Sequence, residues 1–203
     1  MSQAIVQPEG NYYDKYGTRN PIARYLMSGF LSSFEQLAKR SGAREAFEAG
    51  CGEGHLSVAL ARAGLTVRGC DIAQSCVDKA QQNAALAKVA LAVRQASIYD
   101  LSTADAAELV VCCEVLEHLE EPERAVDVLA SLTKPWLITS VPREPIWRVM
   151  NMARGKYWGD LGNTPGHLQH WSSRSFMALI AKRFEIVEVR QPLPWTMLLA
   201  RVR

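Results

Sequence analysis

The chain has 203 residues, 48% hydrophobic and 22% charged, with 23 Lys and Arg against 21 Asp and Glu for a net charge of +2. This length suits one domain with a sizeable core and is short for two, and the composition excludes an intrinsically disordered chain. The near-balance of charge gives no global argument for a nucleic-acid or anionic-membrane partner. No apolar run approaches the roughly 20 residues of a membrane-spanning helix. MSQAIVQPEGNYYDKYG has no basic stretch leading into an apolar one, so a cytoplasmic protein is expected. The five cysteines, at 51, 70, 76, 112 and 113, form no CxxC pair, and four lie in or beside apolar runs; they read as reduced core thiols.

In chain order, Ile22, Leu26, Phe30, Phe34 and Leu37 recur at helical spacing, which predicts an amphipathic helix over 20–40. A short strand over 46–49 runs into the glycine turn GCGEG, followed by a helix from His55 that Gly64 stops. Strands follow over 65–70, 89–96, 108–113 and 136–141, with helices over 75–88 and from Pro122 to about Leu132 between them. Five strands alternating with helices imply a doubly wound, mostly parallel sheet with right-handed crossovers. Beyond a helical stretch over 146–154 and a glycine-rich loop come a helix over 173–181 and strands over 185–190 and 196–202. The turn QPLPW between those strands permits only an antiparallel pair, so the expected α/β sheet has seven strands and ends in a hairpin. One domain, 1–203, is expected: an N-terminal helical cap (1–43), a core (44–141), a lid (142–172), and a closing helix and hairpin (173–203).

Glu48-Ala-Gly-Cys-Gly-Glu-Gly54 places Gly50, Gly52 and Gly54 where the first strand becomes a helix, and there the backbone can turn tightly and approach a ligand. Alone, such a turn is a weak signal. Asp71, 17 positions after Gly54, closes the second strand, where a carboxylate can accept both hydroxyls of a ribose. Glu48, ahead of the glycines, favours a cationic ligand group over a pyrophosphate.

EAGCGEG, GCDIA and the alternating strands with their terminal hairpin resemble the class I, Rossmann-like S-adenosylmethionine-dependent methyltransferases over residues 44–203. The resemblance implies S-adenosylmethionine (SAM) as cofactor, with Glu48, Gly50, Cys51, Gly52 and Gly54 beside its amino-acid part and Asp71 on the ribose. It also implies Ile72, Ser97 and Ile98 around the adenine, with Cys113 bordering the site. Many relatives carry Asp after strand three; here Ser97 takes that place, and Asp100 reads as a surface turn residue.

EVLEHLEEP, 114–122, follows strand four at the edge of the sheet where such folds place their chemistry. As a helix it would put Glu114, Glu117 and His118 on one face. Glu120, Glu121 and Glu123 are explained by the start of the next helix, whose dipole favours acids. The later GHLQHWSSRSF supplies His167 and His170 in a loop before a helix. This pairing is similar to that of the ubiquinone-pathway O-methyltransferases and the small-RNA terminal-ribose O-methyltransferases. In the RNA branch the late histidine stands four residues before a Trp, as His167 stands before Trp171, so His167 is preferred to His170. Two readings stay open. In one, Glu114, Glu117, His118 and His167 bind a divalent metal, a mixed oxygen and nitrogen set suited to Mn, Zn, Fe or Co and less natural for Mg. In the other, His118 or His167 is a general base and no metal is bound.

The segment 143–171 is rich in Trp, Tyr, Met and Arg and long for a connection, so it reads as a substrate lid shared with NYYDKYGTRNP. Trp147, Trp158 and Trp171 either line an apolar pocket or pack the lid onto the domain, and Arg143, Arg148, Arg154 and Lys156 either recognise an anionic group or, in the preferred reading, form the solvated side of a helix. The sequence reading is therefore a SAM-dependent methyltransferase that O-methylates a small-molecule acceptor, aromatic or lipid-linked, with Glu117, His118 and His167 as catalytic residues and with metal assistance as a secondary reading that stays open. Its alternatives are metal-independent methylation of N, C or O by a histidine base, and a catalytically silent SAM-binding subunit of a partner.

Overall fold

The computed structural model describes residues 20–155 and 157–203. The share of NYYDKYGTRNP in the lid, the first part of the cap and the contribution of Lys156 therefore lie outside the described residues. Helix α1, Pro21–Ser41, starts at Asn20, whose side-chain oxygen accepts from the N–H of Ile22 and Ala23 at 2.9 and 3.3 Å, and ends at Gly42 with φ 66°. Its buried stripe is Leu26, Met27, Phe30, Phe34, Leu37 and Ala38; Ile22, in the first turn, precedes that stripe and is exposed.

The other elements follow in the expected order. They are β1 Glu45–Ala49, α2 His55–Arg62, β2 Thr66–Asp71, α3 Gln74–Ala87, β3 Ala92–Gln95, β4 Ala107–Cys113, α4 Pro122–Leu132, β5 Thr133–Pro142, α5 Ile146–Ala153, α6 Ser173–Ile180, β6 Phe184–Arg190 and β7 Trp195–Val202. β3 begins later than the apolar run predicts. Lys88 at φ 57° and the Val89 N–H on the Ala84 carbonyl, 3.1 Å away, first close α3.

The seven strands lie in the order β3-β2-β1-β4-β5-β7-β6. The first five are mutually parallel, while β7 enters between β5 and β6 antiparallel to both. This is the Rossmann-like doubly wound sheet with its terminal hairpin. β4 explains why an apolar run without alternation is a strand here. Val110 and Cys112 pack with Leu129 of α4 and Phe176 of α6, while Leu109, Val111 and Cys113 pack with Phe30 and Phe34 of α1 and with Leu56 and Leu60 of α2. Both faces are covered, so both sets of side chains are apolar. Because β1, β2 and β4 are parallel, Ala49, Asp71 and Cys113 end at one edge, and the loops after them face one another. No helix among the described residues is long and apolar enough to cross a membrane.

Candidate active site

The turn from β1 into α2 is built on left-handed backbone. Gly50 has φ 77°, and a Cβ there would stand 2.4 Å from the Val115 side chain. Gly52 has φ 51°, and a Cβ there would meet nothing within 4 Å, so this side of the turn is open. The N–H groups of Gly50 and Cys51 both donate to the Cys70 carbonyl at 2.8 Å, fastening the turn to the end of β2. Asp71 accepts from Gly52 N–H at 2.8 Å through Oδ2 and from Ala73 N–H at 3.0 Å through Oδ1. Each oxygen thereby has a fixed direction and a remaining lone pair. Gly54 caps α2.

Glu48 is 2% exposed and accepts a hydrogen bond from the Ser57 hydroxyl of α2. Burial pushes its carboxyl up to about 8, with the Ser57 contact pulling the other way. Ser57 was not singled out in the sequence; its signal is a hydroxyl on the buried face of an otherwise apolar helix. Cys51 and Cys113 are buried thiols held above the ordinary range chiefly by desolvation. Ile72 is 53% exposed at the end of β2, as a residue bordering a ligand can be. Ser97 accepts from the Tyr99 N–H at 3.3 Å and starts a short 3-10 turn, while Asp100 is exposed. Ile98 is buried and packs in the core with Phe47 and Cys70.

The segment after β4 departs from the helix expected for it. Glu114 adopts φ 59°, and only Leu116–His118 forms a turn, of 3-10 type. Positions 114 and 117 therefore do not share a helical face. The Glu114 N–H donates to the Ser140 carbonyl at 3.0 Å, and its carboxylate accepts from Ser140 Oγ at 3.1 Å and Trp195 Nε1 at 2.6 Å. It ties the end of β4 to β5 and β7. Trp195 escaped sequence reasoning because nothing in QPLPW relates it to a residue 81 positions earlier.

Glu117, 2% exposed, turns to the loop that follows α5. One ligating atom each from Glu117, His118 and His167 lie within 4.8 Å of one another, and Glu114 is outside this group. The His118 and His167 ring centroids are 4.9 Å apart at 82°. His118 Nδ1 lies 2.9 Å from the Gly166 carbonyl, an acceptor only, so Nδ1 carries the proton and Nε2 is the lone-pair nitrogen of the neutral ring. Leu168 and Gln169 N–H donate to the Glu117 carbonyl at 2.8 and 3.0 Å, and Gln169 Nε2 to the Leu119 carbonyl at 3.0 Å. His170 turns away to Glu144, 3.9 Å distant, and burial lowers its pKa.

Of the three tryptophans proposed for a pocket, Trp147 is buried and stacks on His167 at 5.8 Å and 25°. Trp158 is 65% exposed, and Trp171 packs on Phe176. Arg143 contacts Gln191, Arg148 lies 3.6 Å from Glu144, and Arg154 contacts Asn151. Arg143 is bridged to Trp171, and the Glu144 N–H donates to the Trp171 carbonyl at 2.9 Å, so the segment 142–172 leaves and rejoins the body at one place. Val115 joins the two halves of the site, since it touches the glycine turn and stands two residues before Glu117.

Residues 47–137 match a family model described as a methyltransferase domain. A ubiquinone biosynthesis O-methyltransferase of Bordetella avium is 33% identical over 114 residues, which are 54% of this chain and 47% of that protein. The protein of that name from Actinobacillus pleuropneumoniae serotype 5b is 32% identical over 131 residues, 61% of this chain and 55% of its own. The chain spans about half the length of the curated relatives it matches. Among solved structures, the magnesium protoporphyrin IX methyltransferase of Synechocystis PCC 6803 with bound S-adenosylhomocysteine (SAH) superposes with a TM-score of 0.71 at 22% identity, covering 92% of this chain and 90% of that one. The N-methyltransferase NodS of Bradyrhizobium japonicum gives 0.70 at 19% identity, covering 94% and 93%. At these identities the structural likeness carries the fold alone.

Proposed function

We propose that this chain, whose residues 47–137 match a methyltransferase-domain model and whose fold is Rossmann-like, is a class I SAM-dependent methyltransferase that transfers the methyl group of SAM to a hydroxyl oxygen of a small molecule, aromatic or lipid-linked. The observation that carries the reading is the meeting, at one sheet edge, of the glycine turn and Asp71 with the group Glu117, His118 and His167. The relatives named as O-methyltransferases support oxygen as the acceptor atom.

Asp71 fits a ribose, because its oxygens are already oriented by Gly52 and Ala73 and keep lone pairs for two hydroxyls. The open side of Gly52 leaves room for the amino-acid part of SAM, and Glu48 underlies the same turn. Methyl transfer forms the C–O bond as the C–S bond breaks, yielding SAH, and the hydroxyl proton must leave the acceptor. Neutral His118 can take it at Nε2, while the Gly166 carbonyl on Nδ1 holds the ring and favours the imidazolium that results. The carboxylate of Glu117 beside the two rings adds to that stabilisation.

One carboxylate and two imidazoles also fit a divalent ion such as Mn, Fe, Zn or Co with open positions for solvent and acceptor. Glu117, His118 and His167 would hold it, and it would lower the acceptor's pKa as a Lewis acid. The segment 142–172 is the acceptor lid: tied down at Arg143 and Trp171 and along 166–169, it shields the reaction from water.

The test is methylation of a catechol and quinol panel, with products located by mass spectrometry, before and after chelation. The expected result is an O-methyl product whose formation is lost in His118→Ala; loss with chelator and restoration by Mn would assign the metal to the same residues. Product on nitrogen or carbon would reject the oxygen acceptor, and activity indifferent to chelation but lost in His118→Ala would leave the base without the metal.

A further inference from the structure

The loop 162–167 carries His167, yet it has little secondary structure of its own to fix that ring. It is held from two sides. On one side it is stitched to the Glu117–Leu119 turn, through the Gly166 carbonyl on His118 and the backbone of Leu168 and Gln169 on Glu117. On the other it lies against α5. Asn151, 1% exposed, donates from Nδ2 to the Gly162 carbonyl at 2.9 Å and to Thr164 Oγ1 at 3.1 Å. Trp147 Nε1 donates to the same Thr164 Oγ1 at 2.9 Å, so the hydroxyl oxygen accepts from two side chains of one helix. The Thr164 carbonyl in turn receives the His167 N–H at 3.1 Å. Gly162 is pressed so closely on α5 that a Cβ would stand 2.3 Å from the Arg148 carbonyl.

Trp147 joins these contacts into one device. Its indole N–H is fixed by Thr164 while its ring face stacks on His167, so the hydroxyl that orients the indole also orients the surface on which the imidazole rests. A buried amide and a hydroxyl with both lone pairs engaged are costly to leave unsatisfied, which makes the loop position discrete.

We propose that Thr164 and Asn151 are positioning residues that set His167 beside Glu117 and His118 from the α5 side. The inference rests on the reading of His167 as part of the reacting site, and its test separates the two. The chain has four histidines, at 55, 118, 167 and 170, so a histidine-labelled spectrum of the whole protein with SAH bound contains few imidazole signals to assign. Thr164→Val removes the shared acceptor, Asn151→Asp removes the two donors, and Thr164→Ser keeps the hydroxyl.

The first two variants are expected to move the His167 and His118 signals and leave His55 in place, while Thr164→Ser retains the wild-type pattern. Co(II) affinity, followed by its visible absorption, should fall about 10- to 100-fold in the first two and stay within about threefold in Thr164→Ser. SAH affinity should be unchanged in all three, which separates loss of positioning from loss of fold. Wild-type His167 signals in both Thr164→Val and Asn151→Asp would overturn the proposal. If the wild-type protein binds no Co(II), the metal reading fails by itself, and the histidine spectrum still decides the positioning.

Discussion

Glu114 and Glu117 are the same residue type three positions apart, and the backbone between them gives them different surroundings. A left-handed residue directs the Glu114 carboxylate to Ser140 and Trp195, whereas the 3-10 turn carries Glu117 to the histidines. Glu117→Gln should therefore weaken Co(II) binding by at least tenfold, while Glu114→Gln, which can still accept from Trp195, should change it by less than about threefold; titration followed by absorption checks both. Equal loss in the two variants would make Glu114 a ligand. Glu114→Ala should instead lower thermal stability, by about 1–3 kcal/mol, since it leaves the indole N–H of a buried residue without its acceptor. Glu48 gives a pH dependence whose sign is fixed. Its folded pKa of about 8 lies above its ordinary value, 4.5, so the folded state keeps a proton that the unfolded chain releases in that window. Stability should fall as pH rises from about 4.5 to 8, by about 1.4 kcal/mol per pH unit from this group. Glu48→Gln should flatten that slope in urea titrations at several pH values, and an unchanged slope would contradict the assignment. That both glutamates matter was legible from their places at strand ends. The burial that protonates one and the positive φ that turns the other aside were not, because spacing carries no information about either.

At the scale of elements, the order of helices and strands could be read from periodicity and glycine position because the inner strands β1, β4, β5 and β7 are largely buried on both faces and the helices carry one apolar face. The turn after β4 misled, since three- and four-residue spacing suits an α-helix equally well until the backbone reverses at Glu114. The return of His167 to His118 was suggested by sequence. The hydrogen bonds that accomplish it, from Gln169 and Gly166, join residues 48 to 50 positions apart and leave no local pattern. The glycine turn makes a sharper prediction than its motif does. Gly50→Ala must adopt φ near 77° and place a methyl 2.4 Å from Val115, so it should destabilise the fold by about 1–2 kcal/mol from the backbone alone, more with the clash, and weaken SAH. Calorimetry on Gly50→Ala with and without SAH checks this, and wild-type melting and affinity together would refute the proposed contact between the turn and Val115.

Over the whole molecule, a parallel sheet with one reversed strand, β7, brings residues from β1, β2, β4 and the lid to one edge. The mostly parallel, doubly wound sheet was expected from the alternation of elements and its closing hairpin from the tight last turn, whereas the order of the strands is seen only in the structure. Which acceptor the lid admits was not legible in the sequence, because that depends on how 142–172 folds over the edge, and of its tryptophans only Trp147 faces the histidines. Ligand binding should be visible as global stability: SAH at 100 times its Kd should add about 2.7 kcal/mol to unfolding in wild type. Asp71→Ala, with no carboxylate for the ribose, should show little of that gain at the same concentration. The account is tested most directly by transfer of a labelled methyl group from SAM to a panel of hydroxyl acceptors, comparing wild type with Asp71→Ala and His118→Ala. It predicts a labelled O-methyl product from wild type, with the first variant impaired in SAM affinity and the second in turnover at saturating SAM; full activity in both variants would contradict it.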